Sequence, residues 1–232
     1  MISMSKHCLI LSLLSSVTAP VAAQQAGDWV FRMGLTMMEP RESSTDLRLD
    51  SAAFLIGGRQ SRVGVDSAQQ LGLTLDYFLS DVFSVELLVA APFSHDIVGT
   101  GALAGLPLAE TKQLPPTLSL VYHIDTPGRL RPYLGAGINY TRFFQDNVTT
   151  VGNATLGGLG LRDGNIHLDH SLGLALQGGI DYHLDGDWLL NASLRWIDID
   201  TTATLAFTGG RHIEADVALD PLVYTLAVGL HF

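Results

Sequence analysis

Hydrophobic and polar residues alternate one by one along most of the chain after residue 27. This period of two is typical of β-strands, because successive side chains of a strand point to opposite faces. In the first such stretch, Trp29, Phe31 and Met33 share one face, whereas Arg32 and Gly34 share the other. The alternation predicts eight strands, which cover residues 29–37, 70–77, 83–89, 117–124, 133–141, 171–182, 191–196 and 222–232.

The connections between the predicted strands are short at one end of the sheet and long at the other. Tight turns are predicted at residues 80–81, 125–128 and 185–186. The long loops are residues 38–68, 94–113, 145–166 and 201–216. A soluble barrel or sandwich packs its apolar face on a core, whereas a membrane barrel turns that face to lipid. Short periplasmic turns opposite long extracellular loops favour an all-β fold, an eight-stranded antiparallel transmembrane β-barrel.

The first 23 residues have the features of a secretory signal peptide. Lys6 and His7 form a short basic start, an apolar run follows over residues 8–17, and small residues lead to Ala23. The alternative is a membrane anchor, but the apolar run is far shorter than the ~20 residues of a spanning helix. We expect cleavage after Ala23, which removes the chain's one cysteine and leaves residues 24–232 as the barrel domain.

Composition agrees with a membrane barrel. Hydrophobic residues make up 47% of the chain and charged residues only 16%, below the roughly 25% usual for soluble domains. The net charge of −10 disfavours nucleic acid as a partner, since phosphate binding requires basic patches. We expect the protein in the outer membrane, in contact with lipid and lipopolysaccharide, and we expect no cofactor and no metal.

The last predicted strand ends on an aromatic residue, Phe232, with Leu230, Val228 and Tyr224 on the same face. Chain ends of soluble proteins are usually polar and frayed. This ending resembles the C-terminal signal that the barrel-assembly machinery recognises during insertion. We therefore expect these four residues to form the insertion signal.

Several motifs, in order and with compatible spacing from about residue 27 to the end, resemble those of the outer-membrane protein W (OmpW) family. They include Gln70-Leu-Gly-Leu-Thr74, Val85-Glu-Leu-Leu88, Leu114-Pro-Pro-Thr117, Arg131-Pro-Tyr-Leu-Gly-Ala-Gly-Ile-Asn-Tyr-Thr141, Asp187-Trp-Leu-Leu-Asn191, Asp198-Ile-Asp-Thr-Thr202 and Leu219-Asp-Pro221.

The resemblance implies a narrow, largely apolar lumen that lets small hydrophobic molecules pass and leave sideways into the membrane. It also implies a hydrophobic constriction made by a leucine and a tryptophan. The leucine matches Leu88, but the tryptophan position falls at Arg195, and Trp196 lies next to it on the lipid face. We therefore expect passive passage of small hydrophobic molecules. The alternative is a structural or receptor protein with a closed lumen and no transport activity.

The alternation also places charged residues on the inward face of the barrel. An eight-stranded interior is barely wide enough for side chains, and an unpaired ion is costly there. We expect Arg32 and Arg195 to neutralise Glu86 and either Asp76 or Asp181. Leu88, Arg195, Glu86 and Arg32 are the candidate pore-lining residues, and the full inward-facing set is Arg32, Asp76, Glu86, His123, Asp181, His183 and Arg195.

Enzymatic activity is the other class to weigh. His167, Asp169 and Ser171 are predicted to share a strand face, but residues two apart on a strand lie roughly 6.5–7 Å from each other, too far for direct proton transfer. We therefore expect no catalysis. The loop segment 103–109 is instead apolar enough to fold over the barrel mouth, where it would capture hydrophobic ligands or form a docking surface.

Overall fold

The computed structural model describes residues 24–232; the predicted signal peptide, residues 1–23, lies outside the described residues. The strands are β1 (Trp29–Glu39), β2 (Ser43–Ser44), β3 (Arg48–Leu49), β4 (Ala52–Ala53), β5 (Leu55–Ile56), β6 (Arg59–Val65), β7 (Ala68–Phe78), β8 (Phe83–Ala90), β9 (Phe93–Gly101), β10 (Pro107–Leu114), β11 (Thr117–His123), β12 (Leu130–Val148), β13 (Asn165–Leu168), β14 (Ser171–His183), β15 (Trp188–Ile197), β16 (Asp200–Ala206), β17 (His212–Ala218) and β18 (Leu222–His231). One helix, α1 (Thr150–Gly158), is present in the described part. No helix there is long and apolar enough to cross a membrane.

Eight of these strands form a closed antiparallel barrel. Their order around the wall is β1, β7, β8, β11, β12, β14, β15 and β18, and β18 pairs with β1 to close the ring. Each of the eight strands predicted from the alternation lies within, or nearly coincides with, one of them. The fold prediction of an eight-stranded barrel is therefore confirmed.

The outer surface of the barrel is apolar and the inner surface is polar, as the alternation predicted. Large outward side chains such as Leu172 and Leu226 are 74% and 68% exposed, which is what a lipid-facing wall requires. Aromatic rings gather near the end with the short turns: Trp29 and Tyr77 have ring centroids 4.7 Å apart. Such aromatic pairs form the girdles that mark the interface of membrane barrels.

The long connections between barrel strands are present as predicted, and most of their residues lie in short strands, hairpins or a helix. Strand β12 continues through 19 residues, and on one side it pairs with a second layer of wall made by β10, β9 and β6. On the other side, β13, β16, β17, β3 and β4 form a separate sheet above the barrel. Hairpins that pair with each other satisfy backbone groups that a long irregular loop would leave to water.

These extracellular strands have the opposite polarity to the barrel strands. In β9 the buried side chains are Phe93, His95 and Ile97, whereas Ser94 and Asp96 are exposed. The apolar face therefore points inward in this part of the chain, as it does in a soluble sandwich. The consequence is an apolar core stacked on top of a polar barrel interior.

Helix α1 covers one side of this apolar core. Its N-cap is Thr149, whose Oγ1 accepts a hydrogen bond from the Gly152 amide at 2.9 Å, as N-cap residues do. A Cβ at Gly152 would lie 2.2 Å from the Leu108 carbonyl oxygen, so only glycine allows the helix to approach β10 this closely. One turn later, Leu156 is buried in the core.

Candidate functional site

A network of buried ion pairs crosses the barrel interior, and Arg32 on β1 is at its centre. The Arg32 Nε and Nη2 atoms donate to the two carboxylate oxygens of Asp181 at 3.1 and 2.6 Å. Its Nη1 atom donates to Asp76 and lies 3.7 Å from Glu86 Oε2. All four side chains are at most 2% exposed. A planar guanidinium held between carboxylates from different strands fixes the spacing of those strands.

The second guanidinium, Arg195 on β15, completes the network. Its Nη2 atom donates to Glu86 Oε1 at 2.5 Å and also to the Gln177 side-chain oxygen. The ion pairs expected for Arg32 and Arg195 are therefore present. Leu88 is likewise inward and 3% exposed. The candidate pore-lining residues thus all lie in the interior; their role in passage stays a prediction.

Four further polar side chains, of which the sequence analysis singled out only His123, support the carboxylates. Asn191 Nδ2 donates to Asp181 Oδ1 at 2.8 Å and to the Tyr133 hydroxyl at 2.9 Å. Ser84 Oγ donates to Asp76 Oδ1 at 2.9 Å and lies 2.9 Å from His123 Nε2. All four lie on the inward face that the period of two assigned to their strands, so the alternation itself carried the signal for them.

An apolar cavity lies above this network, inside the extracellular sheets. It contains about 770 Å³ of space not filled by protein atoms, including the part continuous with solvent. Seventeen of its 21 lining residues are apolar. The four others are His95, Thr111, Gln113 and Thr201. Concave apolar surfaces with few polar groups are the usual form of small-molecule sites.

The predicted apolar loop segment 103–109 forms part of the cavity wall. Leu103 and Leu108 line the cavity and are 3% and 6% exposed, and Ala109 is 1% exposed. Residues 107–109 belong to β10, so this segment is part of a hairpin. Leu156 of α1 closes the same side.

Beside the cavity, the wall of the barrel lacks backbone pairing beyond the end of the ladder between β8 and β11. The ladder between β8 and β11 ends at the pair Leu88–Thr117, and the ladder between β9 and β10 begins at the pair Phe93–Gln113. Between them no pairs join residues 89–92 to residues 114–116. We call these two segments the seam. Three of their residues are proline, Pro92, Pro115 and Pro116, which have no N–H to donate to a ladder.

The predicted common face of His167, Asp169 and Ser171 is wrong. Residues 169–170 fall between β13 and β14, so the alternation restarts at Ser171. His167 and Asp169 are exposed, with His167 Nε2 3.6 Å from Asp169 Oδ1, whereas Ser171 is buried. The Ser171 Oγ accepts a hydrogen bond from the Asp200 amide at 3.1 Å. The three side chains therefore do not converge on one site.

Comparison with known proteins identifies the family to which this barrel belongs. The family model described as the OmpW family matches residues 25–232. The chain belongs to the OmpW family. It is 41% identical over 226 residues to outer membrane protein W of Vibrio cholerae, with 96% of each chain covered. It is 28% identical over 232 residues to the dibenzothiophene metabolism operon protein PahQ of Pseudomonas aeruginosa, with 97% of each covered.

A solved structure supports the assignment of this OmpW-family chain. The crystal structure of the outer membrane protein OprG from Pseudomonas aeruginosa superposes with a TM-score of 0.81 at 37% identity, covering 90% of this chain and 98% of that one. The protein is thus an outer-membrane β-barrel. The outward face of its last strand carries the predicted insertion residues, with Phe232 65% exposed and Tyr224 41% exposed.

Proposed function

We propose that this protein lets small hydrophobic molecules enter the outer membrane passively from the extracellular side. The observation that carries the proposal is the apolar cavity, which lies above a lumen filled by buried ion pairs and beside the unpaired seam. A hydrophobic molecule gains free energy on leaving water for such a cavity, by about 25 cal/mol for each Å² of apolar surface removed from water.

The route continues sideways through the wall. Straight passage would take an apolar molecule through the Arg32 and Arg195 network, where it would break charge-assisted hydrogen bonds without replacing them. The seam offers a lower barrier, because opening it breaks no backbone ladder. Leu88 and Thr117 form the last pair below the seam, so Leu88 lies at the edge of this exit and supplies an apolar surface there.

The names of relatives are consistent with apolar substrates. PahQ is named for dibenzothiophene metabolism, and dibenzothiophene is a compact apolar aromatic molecule. We extend that substrate class, small hydrophobic molecules, to this chain as part of the proposal. The same proposal includes contact of the barrel with lipid and lipopolysaccharide and recognition of Phe232 by the barrel-assembly machinery. It also includes the absence of catalysis and the removal of residues 1–23.

Uptake of an apolar fluorescent probe into vesicles with lipopolysaccharide in the outer leaflet tests the proposal. Ala203 lines the cavity, whereas Ala206 on the same strand is exposed. We expect Ala203→Phe to slow uptake toward the rate of protein-free vesicles, because the ring fills the cavity. The matched control Ala206→Phe should leave uptake unchanged, and Leu88→Trp should slow it by narrowing the exit.

The alternative function is a structural or receptor role with a closed lumen, which the buried ion pairs favour. The same assay separates the two. Equal probe uptake in vesicles with and without the wild-type protein would exclude transport and leave the structural role.

A further inference from the structure

One polar side chain stands out in the wall of the apolar cavity. Gln113 lines the cavity, is completely buried, and its Oε1 atom has no hydrogen-bond partner among the described residues. The hydroxyls of the other two uncharged polar lining residues are engaged: Thr111 Oγ1 donates to Asp146 Oδ1 at 2.6 Å, and Thr201 Oγ1 donates to the Asp169 carbonyl at 2.7 Å. A buried acceptor without a partner is costly.

The neighbours of Gln113 determine which end of its amide is free. His95 Nδ1 lies 2.8 Å from the Asp66 carbonyl oxygen, and since a carbonyl only accepts, Nδ1 carries the proton. Burial lowers the pKa of His95, so the ring is neutral at pH 7 and its Nε2 is an acceptor. The Gln113 atom 2.8 Å from that nitrogen is therefore the Nε2 donor.

The remaining contact agrees with this orientation. Gln113 Nε2 is also 2.9 Å from the Met38 sulfur, a weak acceptor. Both contacts of the amide nitrogen are thus with acceptors, and Oε1 is left as an acceptor facing no protein donor. Gln113 also forms the first ladder pair above the seam, with Phe93, so the free acceptor belongs to the residue where the cavity meets the exit.

We propose that the cavity selects small apolar molecules that carry one hydrogen-bond donor, a hydroxyl or an N–H, which donates to Gln113 Oε1. The apolar body of such a ligand contacts the aliphatic wall, and its donor satisfies the one unpartnered acceptor of the lining. A ligand with an ether in place of the hydroxyl leaves that acceptor unsatisfied. This inference rests on the proposed function, because it assigns a substrate class to the same cavity.

The test compares p-cresol with 4-methylanisole, which have the same aromatic body. p-Cresol has a hydroxyl that can donate a hydrogen bond, whereas 4-methylanisole has a methyl ether that cannot. Binding to the protein in lipid nanodiscs is measured by saturation-transfer NMR titration, with empty nanodiscs subtracted. We expect p-cresol to bind about fivefold more tightly than 4-methylanisole, the effect of one neutral hydrogen bond. Gln113→Met should abolish the preference by weakening only p-cresol binding. Thr111→Val, which removes a hydroxyl that is already engaged, should retain the preference.

The outcomes separate this inference from the proposed function. If both probes bind wild type equally, or if Gln113→Met retains the preference, the donor selectivity is wrong while the apolar site stands. If neither probe binds above the empty nanodiscs, the cavity is not a ligand site and both proposals fail. Heat-modifiable migration on electrophoresis confirms that each variant is a folded barrel.

Discussion

At the scale of single residues, the barrel interior is defined by two guanidiniums among three carboxylates. Arg32 contacts all three, Asp76, Asp181 and Glu86, whereas Arg195 contacts only Glu86. Removing one partner of a buried ion pair leaves a charge without compensation. The two arginines therefore differ in how much of the network depends on them.

Replacing Arg32 should destabilise the barrel more than replacing Arg195. We expect Arg32→Met to lower the free energy of unfolding by about 3–5 kcal/mol, since it leaves Asp76 and Asp181 buried and unpaired. Arg195→Met should cost less, because Glu86 keeps Arg32 at 3.7 Å. Urea unfolding in lipid vesicles measures both. Equal losses would show that the network depends no more on Arg32 than on Arg195.

A pair of glycines facing each other across β1 and β7 provides a second residue-scale prediction. A Cβ at Gly34 would lie 2.0 Å from the Leu226 carbonyl oxygen, a backbone atom of β18. A Cβ at Gly72 would meet only the Thr36 side chain within 3.5 Å. We expect Gly34→Ala to cost about 1–3 kcal/mol of overpacking, and Gly72→Ala to cost less, because Thr36 can rotate. Urea unfolding in lipid vesicles measures both losses of stability. A larger loss for Gly72→Ala than for Gly34→Ala would contradict the close approach of β18 to Gly34.

The ion pairs of the barrel interior could be predicted from the sequence, whereas the unpartnered acceptor of Gln113 could not. Once the period of two places Arg195 and Glu86 inside a narrow barrel, electrostatics requires them to pair. The role of Gln113 depends on a proton position on His95 and on a carbonyl of Asp66. Those contacts join β9, β10 and the chain before β7, and nothing in the local sequence pattern specifies them.

At the scale of elements, the polarity of the two strand faces marks where the membrane wall ends. In β17, Ile213, Ala215 and Val217 are buried and Glu214 and Asp216 lie on the other face. The period of two is the same as in the barrel strands, but the apolar face now points inward. The alternation in the sequence therefore indicated these strands as well. They were not predicted because the long segments between barrel strands were interpreted as loops. The two-residue strands β2 to β5 are too short for any alternation to indicate them.

The seam is the element that should control sideways passage. In the double variant Pro115→Ala/Pro116→Ala, two N–H groups return to the unpaired segment and can extend the ladder toward β8. We expect slower probe uptake and slower hydrogen exchange at Ala90, measured by vesicle assay and mass spectrometry. The control Pro221→Ala lies on the opposite side of the barrel, before β18, and should change neither. Unchanged uptake in the double variant would exclude the seam as the exit.

At the scale of the whole molecule, the chain joins two differently built layers around one axis. The lower layer is apolar outside and ionic inside, and the upper layer is polar outside and apolar inside. Arg195 pairs in register with Val223, and Ile197 follows two residues later. Both apolar residues belong to the upper core, so Arg195 marks the boundary between the layers. Small ions and apolar molecules should accordingly follow different routes.

The variant Arg195→Ala separates those routes. Removing this guanidinium takes away the top of the ionic network and opens space above Glu86, so we expect higher single-channel conductance of small ions in planar bilayers. Uptake of an apolar probe should not change, because its proposed route leaves through the seam before it reaches Arg195. Ala203→Phe should show the opposite pattern, with slower uptake and wild-type conductance. If Arg195→Ala changed both quantities together, apolar molecules and ions would share the lumen, and sideways exit would be wrong.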